Sequence, residues 1–238
     1  MNRMIKVGFA ALALAAVTPS FAQEVEVEED EGVVGYTAVA LGLATPVQLP
    51  WGLNRWDVFG IDLNLFYSDA PKMYGLDIGG LATTTRDTAI GMIVGGLANL
   101  SYNANVYGLR ATLGLNYAEE HVYGADLGMV GVREHIHGLD VEFLGSYQQR
   151  MGGLQVSGLA NIAREETYGM NVAGLCNWTP VARGFQLAGI FNYTKELHGC
   201  QLALVNYTEL CPSGFQVGLV NIIMQNSWKV LPIVNGYF

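Results

Sequence analysis

Two imidazoles and a carboxylate stand together at Glu134-His135-Ile136-His137, a grouping that could begin a metal-ligand set. A zinc site needs further donors at a recognised spacing, and no cysteine or third histidine supplies them. The segment falls in a turn between repeats, so its histidines read as solvated loop residues. Asp140 and Glu142 alternate along the chain. On a strand that spacing sets two carboxylates on one face, the arrangement that acid and base catalysis uses, although wet side chains are the simpler reading. Ser146, Ser157 and Ser213 lack a GxSxG-like elbow. Cys176, Cys200 and Cys211 form no CxxC pair; a Cys200–Cys211 bridge is geometrically conceivable, and buried small apolar residues are the plainer expectation. The glycine spacings never lead into Gly-Lys-Ser/Thr ahead of a helix, so no phosphate loop is present. The chain is therefore expected to be non-enzymatic, with no catalytic residue, no metal and no cofactor.

The elements that would position these groups are short and repeated. Glycines recur at Gly60, Gly75, Gly91, Gly108, Gly124, Gly138, Gly153, Gly169, Gly184, Gly199 and Gly214, at intervals of 14 to 17 residues. The phrases they open are alike: GLQVSGLANI from Gly153, GMNVAGLCNW from Gly169, GFQLAGIFNY from Gly184. One such unit cannot bury its own apolar face and must lean on its neighbours. Within a unit the residues alternate: Tyr107, Leu109, Ala111, Leu113, Leu115 and Tyr117 are apolar, while Gly108, Arg110, Thr112, Gly114 and Asn116 are small or polar. A period of two is a strand pattern.

The second residue after each repeat glycine is polar in ten of eleven units. Ten residues make up this row: Asp62, Asp77, Arg110, Asp126, Asp140, Gln155, Asn171, Gln186, Gln201 and Gln216. Eleven residues at about 3.3 Å rise and about 40° tilt cover roughly 25 to 28 Å, the height of the apolar band on an outer-membrane strand. Aromatic residues close many apolar rows, as an interfacial girdle requires: Tyr107 and Tyr117, Tyr168 and Trp178, Phe59 and Tyr67. The pattern predicts an all-β fold, an antiparallel transmembrane-type β-barrel of about 12–14 strands built from repeats of about 15 residues. The ten polar residues would then line its lumen. The alternative is a β-solenoid, with the apolar row in a dry core and the polar row in water. Segments such as Ala163-Arg-Glu-Glu-Thr167 offer such a core almost nothing apolar, which favours the barrel; the uniform short connections and the Asn161, Asn177, Asn192, Asn206, Asn221 series favour a stacked ladder.

Residues 1–22 carry Arg3 and Lys6, an apolar run from Val7 to Val17 and small residues before a cut, which predicts a Sec signal peptide. Six acids in eight positions from Glu24 to Glu31 predict a solvated acidic disordered segment over 23–33, and 34–238 is expected to form a single β-repeat domain. The formal net charge is −9, and loss of the two leader cations makes it about −11. Nucleic acid is an improbable partner for that sign.

Thr45-Pro-Val-Gln-Leu-Pro50, then Val58-Phe-Gly-Ile-Asp-Leu-Asn-Leu-Phe-Tyr67, then tandem GFQVGLVN-like units, then Leu231-Pro-Ile-Val-Asn-Gly-Tyr-Phe238 occur in that order. This succession resembles the Leptospira-type surface repeat proteins of Gram-negative bacteria. The resemblance implies surface or outer-membrane association of undetermined biochemical role and supplies no catalytic residues; the barrel reading adds outer-membrane lipid as the expected partner. Three functions compete: a structural or narrow-pore barrel in the outer membrane; a surface-displayed or periplasmic solenoid for adhesion or partner binding; and a secreted enzyme, which rests only on the isolated residues above.

Overall fold

The computed structural model describes residues 33, 35–44, 47–49, 51 and 53–237. The expected leader over 1–22 and the acidic segment, apart from exposed Val33, lie outside the described residues. The described chain is almost entirely strand with no α-helix, and the strands form a β-solenoid of about nine turns. The barrel and its 12–14 antiparallel strands are thereby corrected. Pairing between successive repeats is parallel, whereas a barrel of hairpins requires antiparallel neighbours.

Contacts divide the chain into two compact units: the described residues to Tyr123 with Leu127–Val132, and Gly124–Asp126 with the described residues from Arg133. In the first unit β1 (Gly35–Ala44) pairs antiparallel with β2 (Val47–Leu49) and parallel with β3 (Trp56–Gly79). There β4 (Ala82–Gly95) lies parallel to β3, and β5 (Ala98–Ser101) and β6 (Asn105–Thr112) lie parallel to β4. The start of β7 (Leu115–Ser157) continues the stack on β5. In the second unit the end of β7 pairs with β8 (Ala160–Ala173), and then come β9 (Cys176–Trp178), β10 (Val181–Ala188), β11 (Phe191–Leu202) and β12 (Val205–Ile223), all parallel. A final antiparallel strand, β13 (Val230–Tyr237), covers the last rung.

Each repeat is one three-sided coil. The coil from Gly169 runs along one side to Ala173, turns at Gly174-Leu175, runs through Cys176–Trp178, turns at Thr179-Pro180, and returns along the first part of β10 to Gly184. Register is kept from rung to rung: Gly184 sits between Gly169 and Gly199, and Asn192 between Asn177 and Asn206. All eleven repeat glycines have φ between 117° and 152°. A Cβ on Gly184 would collide with the carbonyl oxygen of Gly169, and one on Gly199 with that of Gly184. The recurring glycine is therefore a steric requirement of the corner: coils can approach to hydrogen-bond spacing there only without a side chain.

The alternation is turned the other way from a water-soluble solenoid. Gln186, Ala188, Asn192, Thr194 and Leu197 point inward in one coil, while Leu187, Ile190, Phe191 and Tyr193 point outward. Ala163 and Thr167, in the segment that seemed unable to supply a core, are both buried. It is not an apolar core that they help to build. A three-sided coil of about 15 residues leaves so narrow an interior that Ala, Thr, Asn and Gln fill much of it; a few larger side chains such as Met73, Ile136 and Leu197 are enclosed, and many leucines and aromatics are left outside.

Gly184→Ala should destabilise the fold by about 2–4 kcal/mol, through strain at positive φ and separation of two rungs. Ser213→Ala on the outer surface should stay within about 0.5 kcal/mol. Urea midpoints for the two variants check this.

Candidate functional site

The buried polar row is held by ladders that run from coil to coil. Asn161 donates through Nδ2 to Oδ1 of Asn177, Asn177 to Asn192, Asn192 to Asn206 and Asn206 to Asn221, each at 2.9 Å. The same amide groups reach main-chain carbonyls, Asn177 to Leu187 at 2.8 Å and Asn192 to Leu202 at 3.0 Å. Gln216 donates to Gln201 at 2.8 Å and Gln201 to Gln186 at 2.9 Å. Thr194 donates to Thr208 at 2.9 Å, and Asn99 to Asn116 at 2.9 Å. Every bonded amide is one the interior need not leave unsatisfied, which is the condition for burying it at all.

All ten residues expected along a barrel lumen are buried: Asp62, Asp77, Arg110, Asp126, Asp140, Gln155, Asn171, Gln186, Gln201 and Gln216. They face the filled interior of solenoid coils, with no lumen among them. Two groups of them carry charge.

In the first unit Asp62 accepts from Asn64 Nδ2 and from Ser68 Oγ, both at 2.6 Å. Burial, only partly offset by the Ser68 bond, raises its carboxyl to about 6. Asp77, wholly buried, lies beside Asp62 and Ser68. Burial and then the neighbouring Asp62 carboxylate push Asp77 well above the usual carboxylate range, against the lowering effect of Ser68. Asp69 is likewise raised to about 6 by burial, against the attraction of Arg86 at 3.2 Å. In the same unit buried Arg110 donates to the Tyr117 carbonyl at 3.0 Å and to Ser101 at 3.3 Å.

In the second unit Arg133, wholly enclosed, lies 2.9 Å from Asp126, 2.7 Å from Asp140 and 2.6 Å from Glu142. Ser146 lies 3.2 Å from the guanidinium and 2.6 Å from Asp140, and Gln155 donates to Asp140 at 2.8 Å. Burial raises Glu142 to about 8 despite Arg133, the carboxylates of Asp126 and Asp140 adding to the rise. The three carboxylates in turn hold the Arg133 guanidinium charged against the cost of its own burial.

Sequence reasoning paired Asp140 with Glu142 on one face, as the structure places them, but as buried partners of Arg133 and not as wet side chains. It missed Arg133, which belongs to a repeat without the closing asparagine and adjoins a charged run that resembles a turn. The Glu134-His135-Ile136-His137 stretch is part of β7: Ile136 is buried, His137 is exposed and Glu134 accepts from Gln149 at 2.9 Å. Among the described residues no group of three His, Cys, Asp or Glu is disposed to hold a metal. Ser146 and Ser157 are buried in coils and Ser213 is exposed. The three cysteines are free: Cys211 points inward and Cys200 lies on an outer side, so the conceivable bridge is absent.

The exterior is the more unusual surface. From Leu144 to Ile223 the first two sides of every coil carry no charged residue, and all the charges, from Arg150 to Glu209, fall on the third side or on the turn that leads into it. Arg150 pairs there with Glu165 at 2.8 Å and Arg183 with Glu166 at 2.6 Å. Aromatic rings stack in register on the apolar sides: Trp178 on Tyr193 at 4.1 Å and Tyr193 on Tyr207 at 5.4 Å between centroids. A shallow apolar depression of about 420 Å³ lies among Leu202, Leu204, Leu219 and Ile233. No protein family, curated protein or solved structure matches the chain.

Carboxyls raised by burial keep in the folded state protons that the unfolded chain releases near pH 4. Their contribution to stability is full below about pH 4 and is lost as pH rises through about 6 for Asp62 and Asp69 and about 8 for Glu142. The thermal midpoint should therefore be higher at pH 5 than at pH 9, and Glu142→Gln should flatten the alkaline part of that slope. Arg133→Met strands three buried carboxyls without their cation. It should cost about 3–5 kcal/mol at pH 8 by urea titration, and less at pH 5, where Glu142 is protonated.

Proposed function

We propose that this chain is a non-enzymatic repeat scaffold, displayed at the surface or held in the periplasm, that acts by adhesion or partner binding through the outside of its coils. The supporting observation is the division of roles between the two surfaces. The interior is filled by side chains bonded to one another, so its reactive-looking carboxyls, Asp62, Asp77, Asp140 and Glu142, have no access to a substrate. Side chains such as Tyr168, Trp178, Ile190 and Leu219 are exposed instead, and continuous apolar patches on that scale mark interaction surfaces. The sequence features read as a leader, and the resemblance to surface repeat proteins, agree with export. Stacked coils make long flat faces with one position repeated many times, which suits extended contact better than capture of a small molecule.

Fractionation of producing cells tests the reading. The chain should be recovered from the envelope, and a broad small-molecule screen should raise its melting temperature by no more than about 1 °C, since a scaffold that binds no small molecule gains no stability from one. Retention in the cytosol, or strong stabilisation by one metabolite class, would overturn it.

A further inference from the structure

We infer that the second unit lies along a lipid surface with one edge of its coils inserted among the acyl chains. The inference rests on the surface-scaffold reading and names the partner. The two uncharged sides meet at a corner, and the corner residues Leu144, Leu159, Leu175, Ile190, Leu204 and Leu219, all exposed, form a ridge. Five steps from Leu144 to Leu219 at about 4.8 Å make this ridge about 24 Å long.

Main-chain groups usually forbid irregular corners from entering hydrocarbon. Here the corner is paired rung to rung. Gly174 N–H donates to Ser157 O at 3.0 Å, Leu175 to Leu159 at 2.8 Å, Ile190 to Leu175 at 3.0 Å and Val205 to Ile190 at 2.9 Å. Along these rungs the N–H groups of the ridge can therefore leave water already paired.

At the far margin of the second side, where uncharged surface gives way to charged, stand Tyr147, Trp178, Tyr193 and Tyr207. The Tyr193 hydroxyl reaches across that margin to Glu209 at 3.3 Å. Amphipathic rings at such a margin match the headgroup level of a bilayer, with the ridge below and the ion-paired third side in water. Monotopic segments bury about 5–10 Å, a depth that a side four or five residues wide supplies.

The wedge shape selects the occupant. A second copy offering a flat face covers one of the two apolar sides and leaves the other wet, whereas acyl chains close around both. No cationic patch lies on the inserted sides, so the lipid recognised is the neutral acyl layer and not an anionic headgroup.

Flotation of the purified chain with phosphatidylcholine vesicles tests this. The chain should float, and added phosphatidylserine should not increase binding. Trp178, kept as the sole tryptophan by Phe at positions 51, 56 and 228, should be quenched by bromines near the headgroup end of the acyl chains more than by bromines at their ends. Leu175→Asp with Leu204→Asp should weaken partition about 100-fold, while Arg164→Gln leaves it unchanged. If the paired ridge variant loses its β-type circular dichroism, the quenching profile of the parent decides alone. A chain that stays at the bottom of the gradient overturns the inference. So does one that sediments as a dimer without lipid and becomes monomeric in the ridge variant; the scaffold reading would survive both. Cytosolic retention in the fractionation above would remove that reading itself.

Discussion

A buried carboxamide has two donors and an acceptor to satisfy, and in a coil this narrow the groups within reach are those of the coils on either side. That constraint fixes the register of the coils that carry the ladder. Asn192 meets Asn206 at 2.9 Å only if the coils are stacked residue over residue, and slipping one coil by a single position would set Phe191 or Tyr193 where the amide must be. The glycine corner enforces the same register from outside, because Gly184 and Gly199 must coincide for the carbonyl of one to pass under the other. Amide ladder and glycine column are two readings of one requirement, a rise set by the hydrogen bond.

With polar groups occupying much of the interior, many of the large apolar residues are turned outward. The fold then rests less on apolar burial than a domain of this size ordinarily does; the small buried clusters, such as Ala182, Leu197, Cys211 and Ile223, are one column wide. Cohesion comes from parallel strand pairing, from side-chain ladders and from the stacked rings outside. Arg133 marks a place where the amide ladder is interrupted, and there ion pairing with Asp126, Asp140 and Glu142 stands in for the amide.

Much of this was legible in the residues. The period, the strand alternation and the sidedness of the ten-residue row follow from spacing alone, because a strand sends alternate side chains to opposite faces whatever it packs against. Two things were not legible. Parallel or antiparallel pairing leaves the same alternation, so a hairpin barrel and a coil stack share one pattern. The expectation that a solenoid interior must be apolar also misled, since it made Ala163 and Thr167 look like a missing core when they are the core. Arg133 stayed hidden because its partners Asp126, Asp140 and Glu142 are spread over two repeats and converge only through stacking.

The sequence by itself determined that one unit of about 15 residues recurs, that its chain is extended, and that its polar and apolar residues occupy opposite faces. Only the tertiary structure decided which face is enclosed. That choice depends on the space left inside a closed coil, a property of three sides taken together that no single strand carries.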